Sequence, residues 1–183
     1  MKHLKQFFVF ALLVILGTGQ MWATKYEYDF STITNTWYTN STHTTAVSTG
    51  SSNNYTTIYH AGGTTWTADG TNHYFNSGYY MLGKTGATLT LPTYSNEKIT
   101  SVKIYNSSGC STNAEVNIYS GTNAASTNVK WATQGSNYTY SISSTYQTST
   151  LKIQVTKNYN AQITKVEINT ESTSGSGSGK TDV

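Results

Sequence analysis

Polar and apolar residues alternate in short runs along most of this chain. Residues 26–30 (YEYDF) place three aromatic side chains on one side and two acids on the other, which is typical of a half-buried strand. The same alternation recurs at residues 88–91 (TLTL), 115–119 (EVNIY), 138–142 (YTYSI) and 151–155 (LKIQV). Clusters of glycine, asparagine and serine separate these runs. The pattern predicts an all-β domain.

Two segments share the form I-T-x-V-x-I, at residues 99–104 and 163–168. In each, the last two apolar residues lie on one face and the first has the opposite parity, which predicts a strand entered through a bend or bulge. About eight to ten short strands with turns between them favour an antiparallel β-sandwich of the jelly-roll type. A parallel β-helix is the alternative, but the chain shows no repeat of fixed period.

Residues 1–23 are organised like a secretory signal peptide. Lys2, His3 and Lys5 form a basic start, residues 7–17 form an apolar run, and Ala23 offers a cleavage site. The apolar run is shorter than the roughly 20 residues that a membrane-spanning helix needs. We therefore predict a cleaved N-terminal signal helix and a mature protein that is secreted, periplasmic or at the cell surface.

The mature chain divides into two parts by composition. Residues 24–169 contain the alternating runs and form the predicted β-sandwich domain, whereas residues 170–183 are rich in serine and glycine. The latter predict a flexible tail, or a linker to a further domain. Thr24, and not a lipid-accepting cysteine, follows the predicted cleavage site, and no later apolar run reaches membrane-spanning length. We expect no membrane anchor.

The charge of the mature chain argues against nucleic acid as a partner. The full chain has 11 basic residues, all of them lysine, and 8 acidic residues. Loss of residues 1–23 removes two lysines, which leaves nine against eight acids and a net charge of +1. A broad nucleic-acid surface needs clustered lysine and arginine. We predict no nucleic-acid binding.

Few residues offer catalytic or metal-binding chemistry. Cys110 is the only cysteine, and no neighbouring base would activate its thiol. His43, His60 and His73 lack the spacing of a zinc site, and the acidic residues show no evident pair for glycoside hydrolysis. Asp69 begins a turn whose oxygens could hold a structural calcium ion, although a plain turn is favoured. We predict no enzyme activity, no metal site and no cofactor.

Aromatic residues provide the main functional signal. An aromatic ring can pack on the C–H face of a sugar while neighbouring polar groups bond its hydroxyls. Trp37 and Trp66 lie in the irregular region of residues 31–70, where we expect the greatest exposure. The alternative is that the aromatic side chains fill the core. The full set of candidates for a binding platform is Trp37, Tyr38, Trp66, Tyr79, Tyr80 and Trp131.

Several segments together resemble a known group of proteins. They are the signal ending GQMWA, residues 26–30, the stretch YMLGK followed by ATLTLP, and the paired segments ITSVKI and ITKVEI. This combination resembles secreted β-sandwich accessory modules, jelly-roll and galactose-binding-like, of Gram-negative gut anaerobes. The resemblance implies a jelly-roll fold and a role beside secreted enzymes such as nucleases and glycan-degrading enzymes. It implies no catalytic residue.

Three functions fit these observations. The first, which we favour, is a non-catalytic secreted module that binds carbohydrate or cell-surface glycan through exposed aromatic residues. The second is a structural or adhesive domain that holds a partner through its sheet faces. The third is an accessory domain of a larger secreted protein whose catalytic domain lies elsewhere.

Overall fold

The alternating runs form strands throughout the part of the chain that is described. The structure is a computed structural model that describes residues 23–157 and 159–173. The predicted signal helix lies outside these residues, apart from Ala23, which begins the first strand. Residues 174–183 of the predicted tail also lie outside them. Among the described residues, the single helical element is a 3-10 turn at Ser144–Tyr146, and no helix is long and apolar enough to cross a membrane.

The described residues form fourteen strands, more than the roughly eight to ten predicted. They are β1 (Ala23–Asp29), β2 (Trp37–Tyr38), β3 (Thr57–His60), β4 (Thr65–Asp69), β5 (His73–Asn76), β6 (Tyr79–Leu82), β7 (Thr88–Thr90), β8 (Glu97–Asn106), β9 (Glu115–Ser120), β10 (Asn123–Ala124), β11 (Val129–Lys130), β12 (Asn137–Ser141), β13 (Lys152–Lys157) and β14 (Ala161–Ser172). Three of them, β2, β10 and β11, have two residues each and are too short to show alternation. Strand β14 continues to Ser172, three residues past the predicted domain boundary.

The strands form two sheets in which every pair is antiparallel. Sheet I has the order β12-β8-β14-β6-β5, and β1 also pairs with β14. Sheet II has the order β10-β9-β13-β7-β4-β3-β2, and β11 also pairs with β9. The predicted antiparallel β-sandwich is confirmed.

The connections between the sheets give the jelly-roll topology. Four strands of sheet I lie in the order β1-β14-β8-β12, and four strands of sheet II lie in the order β7-β13-β9-β11. From β7 to β9, and again from β11 to β14, each connection carries the chain from one sheet to the other. Strands β2 to β6 are an insertion between β1 and β7 that widens both sheets. This order confirms the jelly-roll prediction.

The space between the sheets holds one continuous hydrophobic core. Strands show alternate burial, as in β4, where Trp66 and Ala68 are buried and Thr65, Thr67 and Asp69 are exposed. Inward side chains therefore come from both sheets, and outward positions are mostly polar.

The paired I-T-x-V-x-I segments lie in the two longest strands, β8 and β14, which are neighbours. Their register shifts after Ile163 and again after Asn169, so that Thr164 in β14 and Thr100 in β8 are each one extra residue. Each bulge reverses the side-chain parity, and Ile99 and Ile163 therefore face the core with the rest of the motif. The predicted bulge is confirmed in both segments.

Candidate ligand-binding surface

Most of the predicted aromatic platform lies in the core. Trp37, Trp66 and Trp131 are fully buried, and Tyr80 is 1% exposed. The expectation that Trp37 and Trp66 are exposed is wrong. Buried rings cannot stack on a sugar, so these four residues do not form a binding surface in this structure.

Trp37 and Trp66 are buried because each lies in a strand, β2 and β4 respectively. The irregular composition of residues 31–70 does not indicate these strands. Trp37 is opposite His60 in register, and Trp66 is opposite Ile58, on the inner face of sheet II. The Phe30 ring stacks on Trp37 with centroids 4.4 Å apart and an interplanar angle of 15°. Burial of the two tryptophan rings removes a large apolar area from water, which stabilises the fold.

The other buried candidates have polar partners inside the protein. The indole N–H of Trp131 donates to the hydroxyl of Tyr140 at 2.8 Å. The hydroxyl of Tyr80 lies 3.3 Å from Nδ1 of His73. These contacts satisfy the polar atoms of Trp131 and Tyr80, as expected of rings with a structural role.

The two remaining candidates are half-buried and lie on opposite sides of the sandwich. Tyr38 is on the outer face of sheet II, and Tyr79 is on the outer face of sheet I. The hydroxyl of Tyr79 accepts a hydrogen bond from Nδ2 of Asn76 at 2.6 Å. Since the two tyrosines face apart, they do not contribute to one site.

A row of side chains crosses the outer face of sheet II. It consists of Thr57, Thr67, Thr90, Lys152 and Tyr119, each the register partner of the next. Their neighbours along the strands, such as Trp66 and Leu89, point into the core. The row crosses five strands spaced about 4.8 Å apart, which makes it roughly 19 Å long. This length suits an extended ligand.

A second row adds two aromatic rings to the same face. Tyr38 is the register partner of Tyr59, and Tyr59 is the partner of Thr65. Partners in an antiparallel pair have Cβ atoms roughly 5 Å apart. Both tyrosines are half-buried, and Tyr38 also contacts the His43 ring, with centroids 5.1 Å apart. Tyr59 therefore borders the threonines of the first row.

An open groove lies where the two rows meet, and we call it the threonine groove. Its lining comprises Gly63, Thr64, Thr65, Thr67, Thr90, Leu91, Pro92, Thr93 and Thr150. The turn between β3 and β4 borders it on one side, and the segment that follows β7 borders it on the other. Pro92 lies two residues after the end of β7, and it lines the groove together with the threonines.

The threonines of the groove have hydroxyls available for a ligand. No residue in the described ranges hydrogen bonds to the hydroxyls of Thr65, Thr67 or Thr90. The hydroxyl of Thr150 donates to the Leu91 carbonyl at 2.9 Å. A threonine hydroxyl can both donate and accept, so the groove presents both functions to a ligand.

The outer face of sheet I differs because a carboxylate, Glu167, lies among lysines there and is paired with two of them. Glu167 accepts from Lys165 at 2.5 Å and from the Tyr105 hydroxyl at 2.8 Å, and Lys25 lies 3.2 Å away. Burial alone would raise the pKa of Glu167, but the hydrogen bonds from Lys165, Tyr105 and Lys25 lower it to about 2. This cluster stays ionised and internally satisfied at neutral pH.

The reactive groups singled out in the sequence have structural surroundings. Burial raises the pKa of the Cys110 thiol, whose sulfur lies 3.5 Å from the Asn160 carbonyl. The Asp69 carboxylate accepts from the Gly70 amide at 2.7 Å, as in a plain turn. Within residues 23–157 and 159–173, no three histidine, cysteine or acidic side chains come together as a metal site would require.

Sequence reasoning missed the threonines of this surface and three larger residues, Tyr59, Tyr119 and Lys152. The alternation around them contains the signal, because inward Ile58 and Ile118 require Tyr59 and Tyr119 to point outward. The pairing order of the strands, which brings these positions into rows, cannot be read from the alternation.

No known protein family and no curated protein matches this chain. A solved structure with some likeness is that of a low affinity xylan binding module, CBM86, from the xylanolytic gut symbiont Roseburia intestinalis. The two sequences are 14% identical, and the superposition covers 55% of this chain and 82% of the module with a TM-score of 0.37. No function is transferred from a likeness this distant.

Proposed function

We propose that this protein is a non-catalytic carbohydrate-binding module that acts outside the cytoplasm after loss of residues 1–23. Its ligand lies in the threonine groove on the outer face of sheet II. The observation that carries the proposal is the juxtaposition of Tyr38 and Tyr59 with the unpartnered hydroxyls of Thr65, Thr67 and Thr90.

The groove and the tyrosines beside it offer the two contacts that a sugar needs. The exposed part of the Tyr59 ring provides an apolar surface for C–H groups, and the threonine hydroxyls bond the sugar's own hydroxyls. The groove is open, so internal segments of a polysaccharide can lie across it. An open groove leaves part of its ligand in solvent, and we expect modest affinity for each site.

The test is calorimetric titration of the purified protein with soluble plant, bacterial and animal polysaccharides. Tyr59→Ala should weaken binding about tenfold, or ~1.4 kcal/mol, because it removes the ring beside the groove. Tyr79→Ala is the matched control, since Tyr79 is also half-buried in a four-residue strand but faces away on sheet I. Both variants are checked for folding by circular dichroism.

A second pair of variants measures how much the threonine hydroxyls contribute to polysaccharide binding. Thr67→Val keeps the shape of the side chain and removes its hydroxyl, and it should weaken binding by about two- to tenfold. Thr139→Val, at an exposed position on the outer face of sheet I, should leave affinity unchanged. The proposal fails if no polysaccharide binds, or if the control variants weaken binding as much as the groove variants do.

A further inference from the structure

Lys152 is the one charged residue in the row that crosses sheet II. It lies between Thr90 and Tyr119 in register and is half-buried. It forms no ion pair with any residue of the described ranges. The ammonium group is therefore available beside the threonine groove.

Most other lysines in the described strands are ion-paired, and the two that are not, Lys103 and Lys130, lie outside this row. On sheet I, Lys25 and Lys165 are paired with Glu167. At the other end of the same strand, β13, Lys157 is paired with Glu115 at 2.9 Å. A lysine that only solvated its sheet face could equally have a carboxylate neighbour, whereas an unpaired lysine in a ligand row suits an anionic group on the ligand.

We infer that the ligand is an acidic polysaccharide, and that Lys152 pairs with the carboxylate of a uronic acid unit. This inference rests on the proposed function and specifies its substrate class. Thr67 and Thr90 would bond the hydroxyls of the sugar units that precede the uronate in the row, and Tyr119 would pack on the unit that follows.

A polyphosphate chain fits the same surface poorly. Phosphate polymers carry closely spaced charges and are bound by clustered lysine and arginine. The row offers one lysine among uncharged side chains, and the chain contains no arginine. Sparse carboxylates on a hydroxyl-rich chain match this arrangement better.

The experiment compares matched polymers that differ only in charge. The purified protein is titrated with polygalacturonate and with alginate, and then with the carboxyl-reduced form of each, in 20 mM and 200 mM salt. We expect at least one of these polyuronates to bind about two- to fivefold more tightly than its reduced form, a modest factor because an exposed ion pair contributes little. The preference should shrink at the higher salt concentration.

Variants assign the preference to Lys152. Lys152→Met should bind the acidic polymer and its reduced form equally, whereas Lys103→Met, on the outer face of sheet I, should keep the preference. Equal binding of both forms by the unmodified protein, or a preference that survives in Lys152→Met, overturns the inference. The proposed function fails separately, if Tyr59→Ala binds the reduced polymer as well as the unmodified protein does.

Discussion

At the residue scale, Trp37 and Tyr38 show how adjacent side chains take different roles. Trp37 is fully buried, and its indole N–H donates to the Asp29 carbonyl at 2.7 Å. Tyr38 follows it in the same two-residue strand and lies on the outer face. One contributes to folding, and the other belongs to the proposed ligand surface.

This difference is testable with two neighbouring variants. Trp37→Ala should lower the free energy of unfolding by about 3–5 kcal/mol, because it leaves a large cavity and an unpaired carbonyl. Tyr38→Ala should lower it by less than about 1 kcal/mol while weakening polysaccharide binding. Urea unfolding and calorimetric titration of both variants provide the measurement. A large stability loss in Tyr38→Ala would contradict this division of roles.

Glu167 should give the protein a measurable acid sensitivity. Its pKa in the folded state is about 2, below the ordinary value of 4.5, so its contribution to stability is fully present above pH 4.5 and is lost as the pH falls towards 2. Urea unfolding of the unmodified protein and of Glu167→Gln should differ by about 2 kcal/mol at pH 7, and the two should converge near pH 2. A difference that is the same at both pH values would exclude this origin.

At the element scale, the bulge at Thr164 sets which residues of β14 face the core. Upstream of it, Ile163 pairs with Tyr80 of β6, and downstream Val166 and Ile168 pair with β8. The side chains of Ile163, Val166 and Ile168 are all fully buried. Without the extra residue, the two halves of the strand could not both present apolar side chains to the core.

Deletion of Thr164 should therefore prevent stable folding. The remaining chain would have to turn either the β6-paired end or the β8-paired end of β14 to the wrong face. Deletion of Ser52, an exposed residue in a turn outside the strands, is the control and should be tolerated. Circular dichroism and thermal unfolding measure the outcome. A folded Thr164 deletion with native stability would show that the bulge is dispensable.

At the scale of the whole molecule, the sequence predicted the architecture better than the surface. The alternation in residues 88–91 and 151–155 correctly assigns Leu89 and Ile153 to the core and Thr90 and Lys152 to the outside. It cannot show that Thr90 and Lys152 are neighbours, because that depends on long-range strand pairing. The composition of residues 31–70 suggested exposed loops, but the short strands there carry much of the aromatic core.

The insertion of β2 to β6 has a consequence for how this protein could change over evolution. It supplies Thr65 and Thr67 to the groove and Tyr59 beside it, and the same strands supply Ile58 and Trp66 to the core. Loss of the insertion would therefore remove part of the core together with part of the groove. Its outward positions can nevertheless vary while its inward positions stay fixed. Libraries randomised at alternate residues of β3 and β4 would sample new ligand preferences on an unchanged scaffold.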